Sequence, residues 1–432
     1  MFSHISDIFL KKLEGKEVTI RGWVYRHRIS GNMVFAVIRD ASGIIQATIK
    51  KDKVDESGWK NSGEAYVESS VIVSGTIKKD ERAPGGYELQ VSRFETICLG
   101  EPFPIAKDLS EEFLLDVRHL WVRSQKLTNI MKARHHITNY LRGFFEKEGF
   151  WEIAPPIITR SGCEGGSTLF EMDYFGDKAY LTQSSQMYAE VFIYSHEKVY
   201  VFAPSFRAEK SRTIRHLAEY WHLEPEMAWY DQKMNMELQE QMVEHVVQNM
   251  VKHHPDLLKA CGREPEDLAK VKAPFDRLDY EKAIARVNEL CGTEKMKYGD
   301  DFGADEEAIL TKSETKPLFV HNFPKDIKAF YMREDPKKPG TVLNNDLLAP
   351  AGHGEIIGGS ERIWELDELT TRMKEQNLNT KDYQWYVDLR RFGSVPHSGY
   401  GLGIERLVKW ILNLDHIRDA IPFPRTINRC YP

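Results

Sequence analysis

The sequence predicts an α+β protein in two parts, a small β-barrel at the N-terminus and a larger domain of mixed helices and strands. Three observations support this prediction. Short runs rich in β-branched and aromatic residues fill 17–98, a segment rich in proline and charge spans 99–116, and helical periodicity alternates with strand-like runs in 117–432. We therefore assign 1–98 to the barrel, 99–116 to a linker and 117–432 to the second domain.

The barrel prediction depends on five strand-like runs. They are 18–25, 33–39, 44–49, 71–77 and 87–97. Because no convincing helix separates the first three, they predict a closed or nearly closed antiparallel barrel of the OB type. Along the second run, Val34, Ala36 and Ile38 share one face while Phe35 and Val37 share the other, and either face can be the inner one. The outer face of such a barrel can stack bases.

The larger domain begins with a long helix and a strand that contains prolines. Over 121–148, apolar residues recur at spacings of three and four, which is typical of an amphipathic helix. The run 150–158 resembles a strand, but Pro155 and Pro156 exclude it from the middle of a sheet, so we expect it at an edge or an interface. Residues 231–300 are mainly helical by pattern, and we treat them as an insertion. Further strands are expected at 318–322, 329–332 and 343–348.

Two strands joined by a loop are expected to place polar side chains on one face. The strands are 199–206 and 217–228, with the loop 208–216 between them. Since side chains alternate across a strand, Ala203, Ser205 and Arg207 share a face of the first. One face of the second carries Tyr220, His222, Glu224 and Glu226. If the two faces coincide, a guanidinium, an aromatic ring and two carboxylates form a binding site.

A glycine-rich bend near the C-terminus supplies a second arginine. It is Gly401-Leu402-Gly403-Ile404-Glu405-Arg406, far along the chain from Phe206-Arg207-Ala208-Glu209. Planar guanidiniums match phosphate oxygens in a bidentate geometry better than the point charge of a lysine does. Two arginines brought together from distant segments therefore predict a nucleotide site.

Composition narrows the class of protein. With 432 residues, of which 41% are hydrophobic and 29% charged, the chain is typical of soluble globular proteins. A formal net charge of -6 argues against a purely electrostatic nucleic-acid binder. The five cysteines form no Cys-x-x-Cys pair, and no run approaches the roughly 18 apolar residues that cross a bilayer. We expect a cytoplasmic protein with no zinc site and no membrane insertion.

These segments resemble the three signature motifs of class II aminoacyl-tRNA synthetases, most closely those of the asparaginyl-tRNA synthetase family in the aspartyl-like subgroup. The long helix and the strand ending at Pro156 resemble the first motif, which in the family builds the dimer interface. Residues 206–226 resemble the second motif and 401–406 the third. The resemblance implies a class II antiparallel sheet flanked by helices, an anticodon-binding OB barrel and a homodimer.

The resemblance also implies an ATP site. Arg207 would be catalytic by gripping the α-phosphate and the amino-acid carboxylate, and Arg406 by contacting the γ-phosphate. Tyr220 would stack on adenine, and Glu209 would meet the adenine amino group or the tRNA end. The implied ATP-binding residues are Arg207, Glu209, Arg215, His216, Leu217, Tyr220, Glu355, Gly403 and Arg406.

Two further carboxylates match the magnesium ligands of the family. They are Asp346 and Glu355, on either side of a proline- and glycine-containing turn. Hard oxygen donors of this kind hold a Mg²⁺ ion that bridges the terminal phosphates. Adenylate formation is an in-line attack of a carboxylate on the α-phosphorus, which needs charge neutralisation and positioning rather than a nucleophilic side chain.

The amino acid that the resemblance implies is asparagine. Aspartyl enzymes are similar here but carry a proline at the position of Ser185 and a lysine at that of Ala189, and loss of the lysine removes the charge that favours an acid. Arg362 would contact the side-chain oxygen, and Glu224 or a bound water would accept from the amide. The implied amino-acid-binding residues are Glu164, Ser167, Gln183, Ser185, Gln186, Arg207, Glu224 and Arg362.

The implied nucleic-acid partner is tRNA(Asn). Phe35 and Gln46 match barrel positions that stack on and hydrogen-bond the central anticodon uridine, and Arg28 would meet anticodon phosphates or the first base. Aromatic stacking with hydrogen bonds to base edges is how proteins usually recognise single-stranded loops.

The resulting hypothesis is an asparagine–tRNA ligase that uses ATP and Mg²⁺. One alternative is an aspartyl-tRNA synthetase that charges either tRNA, against which the alanine at position 189 argues. A second is a tRNA-independent asparagine synthetase of the same ancestry, against which the barrel argues. A third is a catalytically inactive RNA-binding relative, which retention of Arg207, Arg406, Asp346 and Glu355 disfavours.

Overall fold

The computed structural model describes residues 2–105, 110–163, 168–210 and 213–432. The chain forms two compact units, Met1–Leu114 and Leu115–Pro432. Across the described residues, every helix is too short or too polar to cross a membrane.

The first unit is a closed barrel in which the strand order is β1-β2-β3-β5-β4. Its strands are β1 (Glu17–Ser30), β2 (Met33–Arg39), β3 (Ile44–Lys50), β4 (Ser70–Lys79) and β5 (Tyr87–Cys98). Two short helices accompany them, α1 (Ile5–Leu10) and α2 (Glu56–Glu64). This confirms the predicted OB-type barrel, and each strand lies close to the run that predicted it.

The barrel interior settles which face of β2 points inward. Val34, Ala36 and Ile38 are all 0% exposed and pack with apolar residues of the other strands. Phe35 and Val37 are only half-buried on the outer face. Burial of Val34, Ala36 and Ile38 removes apolar surface from water and stabilises the barrel. Because side chains alternate along the strand, the Phe35 ring then lies on the outer face.

The second unit contains most of the helices. They are α3 (Glu111–Asp116), whose residues straddle the division at Leu114/Leu115, then α4 (Arg118–Trp121), α5 (Gln125–Lys147), α6 (Gln186–His196), α7 (Gln232–His253), α8 (Pro255–Ala260), α9 (Pro265–Leu268), α10 (Tyr280–Cys291), α11 (Ala304–Thr311), α12 (Leu366–Glu375), α13 (Gln384–Arg391) and α14 (Ile404–Ile411). Helices α5, α7 and α14 pack their buried apolar residues against the sheet. This arrangement confirms the prediction of a class II sheet flanked by helices.

The strands of this unit form two sheets. They are β6 (Trp151–Glu152), β7 (Ile158–Thr159), β8 (Glu171–Tyr174), β9 (Asp177–Leu181), β10 (Lys198–Phe206), β11 (Glu219–Ala228), β12 (Asp276–Asp279), β13 (Leu318–His321), β14 (Asn344–Ala349), β15 (Gly354–Glu361) and β16 (His397–Gly403). In the described residues the larger sheet has eight strands in the order β12-β13-β14-β15-β16-β11-β10-β6, and β7, β9 and β8 form the smaller one. The central pairs of the larger sheet, from β13 to β10, are antiparallel.

Several local predictions differ from the structure. The strand expected over 150–158 is only Trp151–Glu152 in the large sheet, and it lies at the sheet edge because the prolines that follow cannot continue the ladder. Residues 329–332, expected as a strand, contribute an isolated bridge between Met332 and Arg362. The region 231–300 is largely helical, but α7 belongs to the main core and β12 is an edge strand, so the region is integral to the sheet rather than a simple insertion.

Candidate active site

A cavity of about 820 Å³ lies over the large sheet of the second unit. Its wall brings together most of the residues predicted for ATP and amino-acid binding. These are Gln186, Arg207, Glu209, Arg215, His216, Leu217, Tyr220, Glu224, Asp346, Glu355, Arg362, Gly403 and Arg406. Gln183 and Ser185 are 1% and 0% exposed, and neither lines the cavity in the described part of the chain. Glu164 and Ser167 lie outside the described residues.

The β10–β11 hairpin supplies the aromatic part of the wall. Its register pairs Ala203 with His222 and Ser205 with Tyr220, so the two faces coincide as the alternation predicts. The Arg207 guanidinium carbon lies 5.7 Å from the centroid of the Tyr220 ring, within range of a cation–π contact. His222 meets the same ring edge-on, with 4.7 Å between the two ring centroids. The hairpin thus places a flat ring beside a fixed positive charge.

Two arginines and two glutamates form a cluster at one end of the cavity. Arg406 donates from Nη1 to Glu355 Oε2 over 2.7 Å, and Arg215 forms an ion pair with Glu307 at 2.7 Å. Burial alone would raise the pKa of the Glu355 carboxyl, but Arg406 and Arg215 outweigh it and lower the pKa to about 2. Glu355 is therefore an anion at neutral pH, and its charge holds the Arg406 guanidinium in place.

Asp346 and Glu355 point toward a common position beside Gly358. A Cβ atom at Gly358 would lie 3.2 Å from Glu355 Oε1 and 3.7 Å from Asp346 Oδ1. The Lys328 ammonium contacts Asp346 Oδ2 at 3.1 Å, so this carboxylate already attracts a cation. Burial raises the pKa of Asp346 to about 7, with Lys328 opposing and Glu355 reinforcing the rise. Two hard oxygen donors at one position fit a Mg²⁺ ion, although the described residues contain no group of three or more metal-binding side chains.

The other end of the cavity is built around Arg362. Its guanidinium donates to Glu226 Oε1 at 2.5 Å and to Ser360 Oγ at 2.7 Å. The Arg362 and Glu226 side chains are 3% and 0% exposed, so this is a buried ion pair. Burial raises the pKa of the Glu226 carboxyl to about 8, and the Arg362 guanidinium opposes that rise. Arg362 therefore has donors engaged by Glu226 and Ser360 before any ligand enters.

Helix α6 brings a second buried acid to this end. Glu190 Oε1 accepts from Gln186 Nε2 at 3.0 Å, and Glu190 Oε2 accepts from Arg390 at 2.8 Å and from Tyr386 at 2.7 Å. His397 Nε2 is also 3.0 Å from Glu190 Oε2. Because a carboxylate in this setting only accepts hydrogen bonds, it fixes the orientation of the Gln186 amide and leaves the Gln186 carbonyl oxygen for the cavity.

The remaining predicted pocket residues have structural partners. Glu224 accepts a short hydrogen bond from the Ser184 hydroxyl and another from the Ser185 amide at 2.8 Å. Gln183 donates to Thr168 Oγ1 at 2.6 Å. Ala189 is 0% exposed and belongs to an apolar cluster with residues of β10 and β11, so its side chain packs in the core rather than in the described wall.

The barrel carries the residues predicted to bind RNA on its outer face. Arg28 and Phe35 are directly opposed across β1 and β2, and the guanidinium carbon lies 5.0 Å from the ring centroid. Gln46 lies next to Glu88, with 3.5 Å between Gln46 Nε2 and Glu88 Oε2. Glu88 also accepts a 2.7 Å hydrogen bond from Thr48, which fixes this acidic neighbour. A half-buried aromatic ring on the outer face beside a cation suits base stacking.

Comparisons with known proteins agree with this geometry. Residues 110–427 match the family model described as tRNA synthetases class II (D, K and N). Residues 18–97 match the model of an OB-fold nucleic acid binding domain. The fold and the site therefore define a class II aminoacyl-tRNA synthetase.

Full-length relatives narrow the family. An asparagine–tRNA ligase of Thermoplasma acidophilum is 50% identical over 428 residues, which cover 99% of each chain. One of Thermococcus gammatolerans is 48% identical, covering 98% of this chain and 97% of the relative. The crystal structure of the Pyrococcus horikoshii asparaginyl-tRNA synthetase complexed with asparaginyl-adenylate superposes with a TM-score of 0.96 at 46% identity, with both chains fully covered. The chain belongs to the asparaginyl-tRNA synthetase family.

Proposed function

We propose that the chain joins asparagine to tRNA(Asn) in two steps. The asparagine carboxylate attacks the α-phosphorus of ATP, forming asparaginyl-adenylate and releasing pyrophosphate. The terminal ribose hydroxyl of the tRNA then attacks the activated carbonyl, forming the ester and releasing AMP. The observation that carries this proposal is the single cavity in which Arg207 and Arg406 stand at one end and Arg362 at the other.

The residues at the Arg406 end of the cavity support ATP binding. Tyr220 offers a ring for adenine, Arg207 a charge for the α-phosphate, and Arg406 a charge farther along. Glu209, Arg215, His216, Leu217 and Gly403 complete the wall that would surround the nucleotide. The reaction needs positioned charge rather than proton transfer, and these groups would supply the protein's share of that charge.

Asp346 and Glu355 would hold Mg²⁺. The ion would neutralise charge that accumulates on the departing pyrophosphate. Lys328 lies against Asp346 and adds a further positive charge near the same position. These residues would orient the phosphates of ATP, while the reacting carboxylate would meet Arg207 and the asparagine side chain would lie toward Arg362.

Asparagine selection follows from the buried pair of Arg362 and Glu226. Arg362 can still donate to a carboxamide oxygen, but its donors are already shared with Glu226 and Ser360, so an aspartate carboxylate would compete with Glu226 for them. Gln186 would accept from the α-ammonium group, and Glu224 or a bound water would accept from the side-chain amide. Gln183 and Ser185 support this end through hydrogen bonds to Thr168 and Glu224.

The barrel would read the anticodon of the tRNA. Phe35 would stack on the central base, Gln46 would bond its edge, and Arg28 would contact a phosphate or the first base. Glu88 accepts from the Gln46 amide nitrogen, which leaves the Gln46 carbonyl oxygen available for a base donor.

The chain would act as a homodimer in the cytoplasm. Trp151, Ile157 and Ile158 are 61%, 39% and 41% exposed along the segment that contains Pro156, an apolar surface that a second copy would cover through α5 and β6. Cys98 and Cys430 are exposed thiols, which suits a reducing compartment.

Amino-acid-dependent exchange of pyrophosphate into ATP without tRNA tests the proposal. We expect exchange with asparagine and background exchange with aspartate and lysine. Exchange that aspartate supports as well as asparagine would contradict the charge argument at Arg362. Failure with all three amino acids would contradict the proposed activity.

A further inference from the structure

Glu307 occupies a position that none of the sequence motifs includes. It lies on α11, it is 7% exposed, and it lines the phosphate end of the cavity. A carboxylate buried this deeply is costly unless it is paired and hydrogen-bonded, so its partners define its role.

One oxygen of Glu307 joins two parts of the proposed ATP site. Oε2 accepts from Arg215 Nη2 at 2.7 Å and from the backbone amide of Glu355 at 2.7 Å. Arg215 belongs to the loop between β10 and β11, whereas Glu355 lies on β15. Glu307 therefore ties the hairpin loop to the strand that carries a proposed magnesium ligand.

The packing around this contact leaves little freedom. Gly354, the first residue of β15, has a positive φ of 71°. A Cβ atom there would lie 2.5 Å from Arg215 Nη1 and closer still to Glu307 Oε2. Contacts below 3.0 Å require something to shift, so glycine is needed for the two side chains to meet against the backbone of β15.

Two arginines and two glutamates pair with each other at this end of the cavity. Arg215 pairs with Glu307 and Arg406 with Glu355, and all four side chains line the same cavity. Side chains held in one geometry by buried charge-assisted hydrogen bonds lose little further conformational entropy when a ligand binds. The pair thus presents Arg215 in a fixed position before ATP arrives.

We propose that Glu307 is a positioning residue for the polyphosphate of ATP, acting through Arg215 and the backbone of Glu355. The inference rests on the proposed function, since it assigns a residue to the same nucleotide site. A purely structural role would lower stability without changing ATP affinity, whereas a positioning role changes ATP affinity selectively.

Glu307→Ala, Glu307→Gln and the control Asp305→Ala test this role. Asp305 is an acid in the first turn of the same helix, so the control removes one charge from α11 and leaves the Arg215 contact intact. Exchange kinetics would give KM for ATP and for asparagine. Equilibrium dialysis with ATP and magnesium, in the absence of asparagine, would give the dissociation constant without turnover.

Glu307→Ala is expected to weaken ATP binding about tenfold or more, the usual scale for a lost hydrogen bond to a charged group, with KM for asparagine within about twofold of the original. Glu307→Gln should recover part of the loss, because its amide oxygen still accepts from Glu355, and Asp305→Ala should match the unaltered protein.

An ATP dissociation constant that stays unchanged in both Glu307 variants would overturn the inference, as would an equal rise of both KM values. If Glu307→Ala does not fold, the same criterion applied to Glu307→Gln decides the question. The two proposals fail differently: an unaltered protein without any exchange overturns the proposed function, whereas an active protein indifferent to position 307 overturns only this inference.

Discussion

The buried ion pair between Glu190 and Arg390 offers a sharp test of how the amino-acid end is held. Both side chains are 0% exposed, and Nη2 of Arg390 lies 2.8 Å from Glu190 Oε2. Glu190→Gln removes the negative charge and leaves the guanidinium in the interior. Arg390 cannot deprotonate, so its charge remains uncompensated in the folded protein.

The expected cost is about 3–5 kcal/mol of unfolding free energy, which is the usual penalty for breaking a buried pair from one side. Arg391→Met is the matched control, because Arg391 pairs with Asp388 on the surface, where the side chains are 48% and 38% exposed. That exposed pair should contribute about 0–1 kcal/mol. Urea unfolding of the full chain, followed by far-ultraviolet circular dichroism, would compare the two variants.

A double-mutant cycle with Arg390→Met separates the pair from its surroundings. In the original protein, Arg390→Met should lower the free energy of unfolding. In the Glu190→Gln background it should raise the free energy of unfolding and restore part of the lost stability. Additive effects would refute the reasoning, and so would a Glu190→Gln variant no less stable than Arg391→Met. The single variant Glu190→Gln should also raise KM for asparagine, because a glutamine at position 190 no longer fixes the orientation of the Gln186 amide.

Three further changes test separate parts of the molecule. Arg207→Ala should abolish pyrophosphate exchange yet leave tRNA affinity within a few fold by filter binding, since it removes charge from the cavity and leaves the barrel unchanged; equal loss of both would contradict the assignment. Phe35→Ala should weaken tRNA binding by about 1–3 kcal/mol with exchange unchanged, and an unaltered tRNA affinity would disprove stacking. Burial, reinforced by Arg207 and Arg406, lowers the pKa of His222 to about 3. The unfolded chain therefore takes up this proton near pH 6.5 while the folded chain does not, so stability falls as pH drops below 6.5. Between pH 7 and 5 the original protein should lose about 2 kcal/mol more than His222→Gln in urea unfolding, and identical pH profiles would contradict the neutral buried imidazole.

The barrel was predictable from sequence because its signal is local. Alternation of apolar residues along β2 predicts a half-buried strand, and burial of Val34, Ala36 and Ile38 resolves the direction that alternation alone leaves open. The large sheet was predictable in its hairpin for the same reason. By contrast, 329–332 has the composition of a strand, but Phe330 and Tyr331 pack with α12 and α13, and tertiary packing overrides the local preference.

The site was predictable where a motif carries chemistry and not where a single side chain acts through its neighbours. Arg207 and Arg406 stand in distinctive sequence contexts, whereas Glu190 and Glu307 are two among the 65 acidic residues of the chain. Glu190 is four residues from Gln186, a spacing that places both on one face of a helix, and this was the available signal. For Glu307 the partners are Arg215 and Glu355, distant in sequence, so only the fold reveals the contact.

The structure adds Arg362 and Glu226 to the proposed basis of the asparagine preference. The sequence argument relies on alanine rather than lysine at position 189, yet Ala189 is packed in an apolar cluster. At Arg362, by contrast, the guanidinium lines the cavity and donates to Glu226 Oε1 at 2.5 Å, while burial raises the pKa of Glu226 to about 8. A neutral carboxamide can accept from that guanidinium without breaking the pair, while a carboxylate would compete with Glu226 for the same donors. Under the proposed function, the amide would be preferred because Glu226 already engages donors of the arginine, and the absent lysine would leave that preference unopposed.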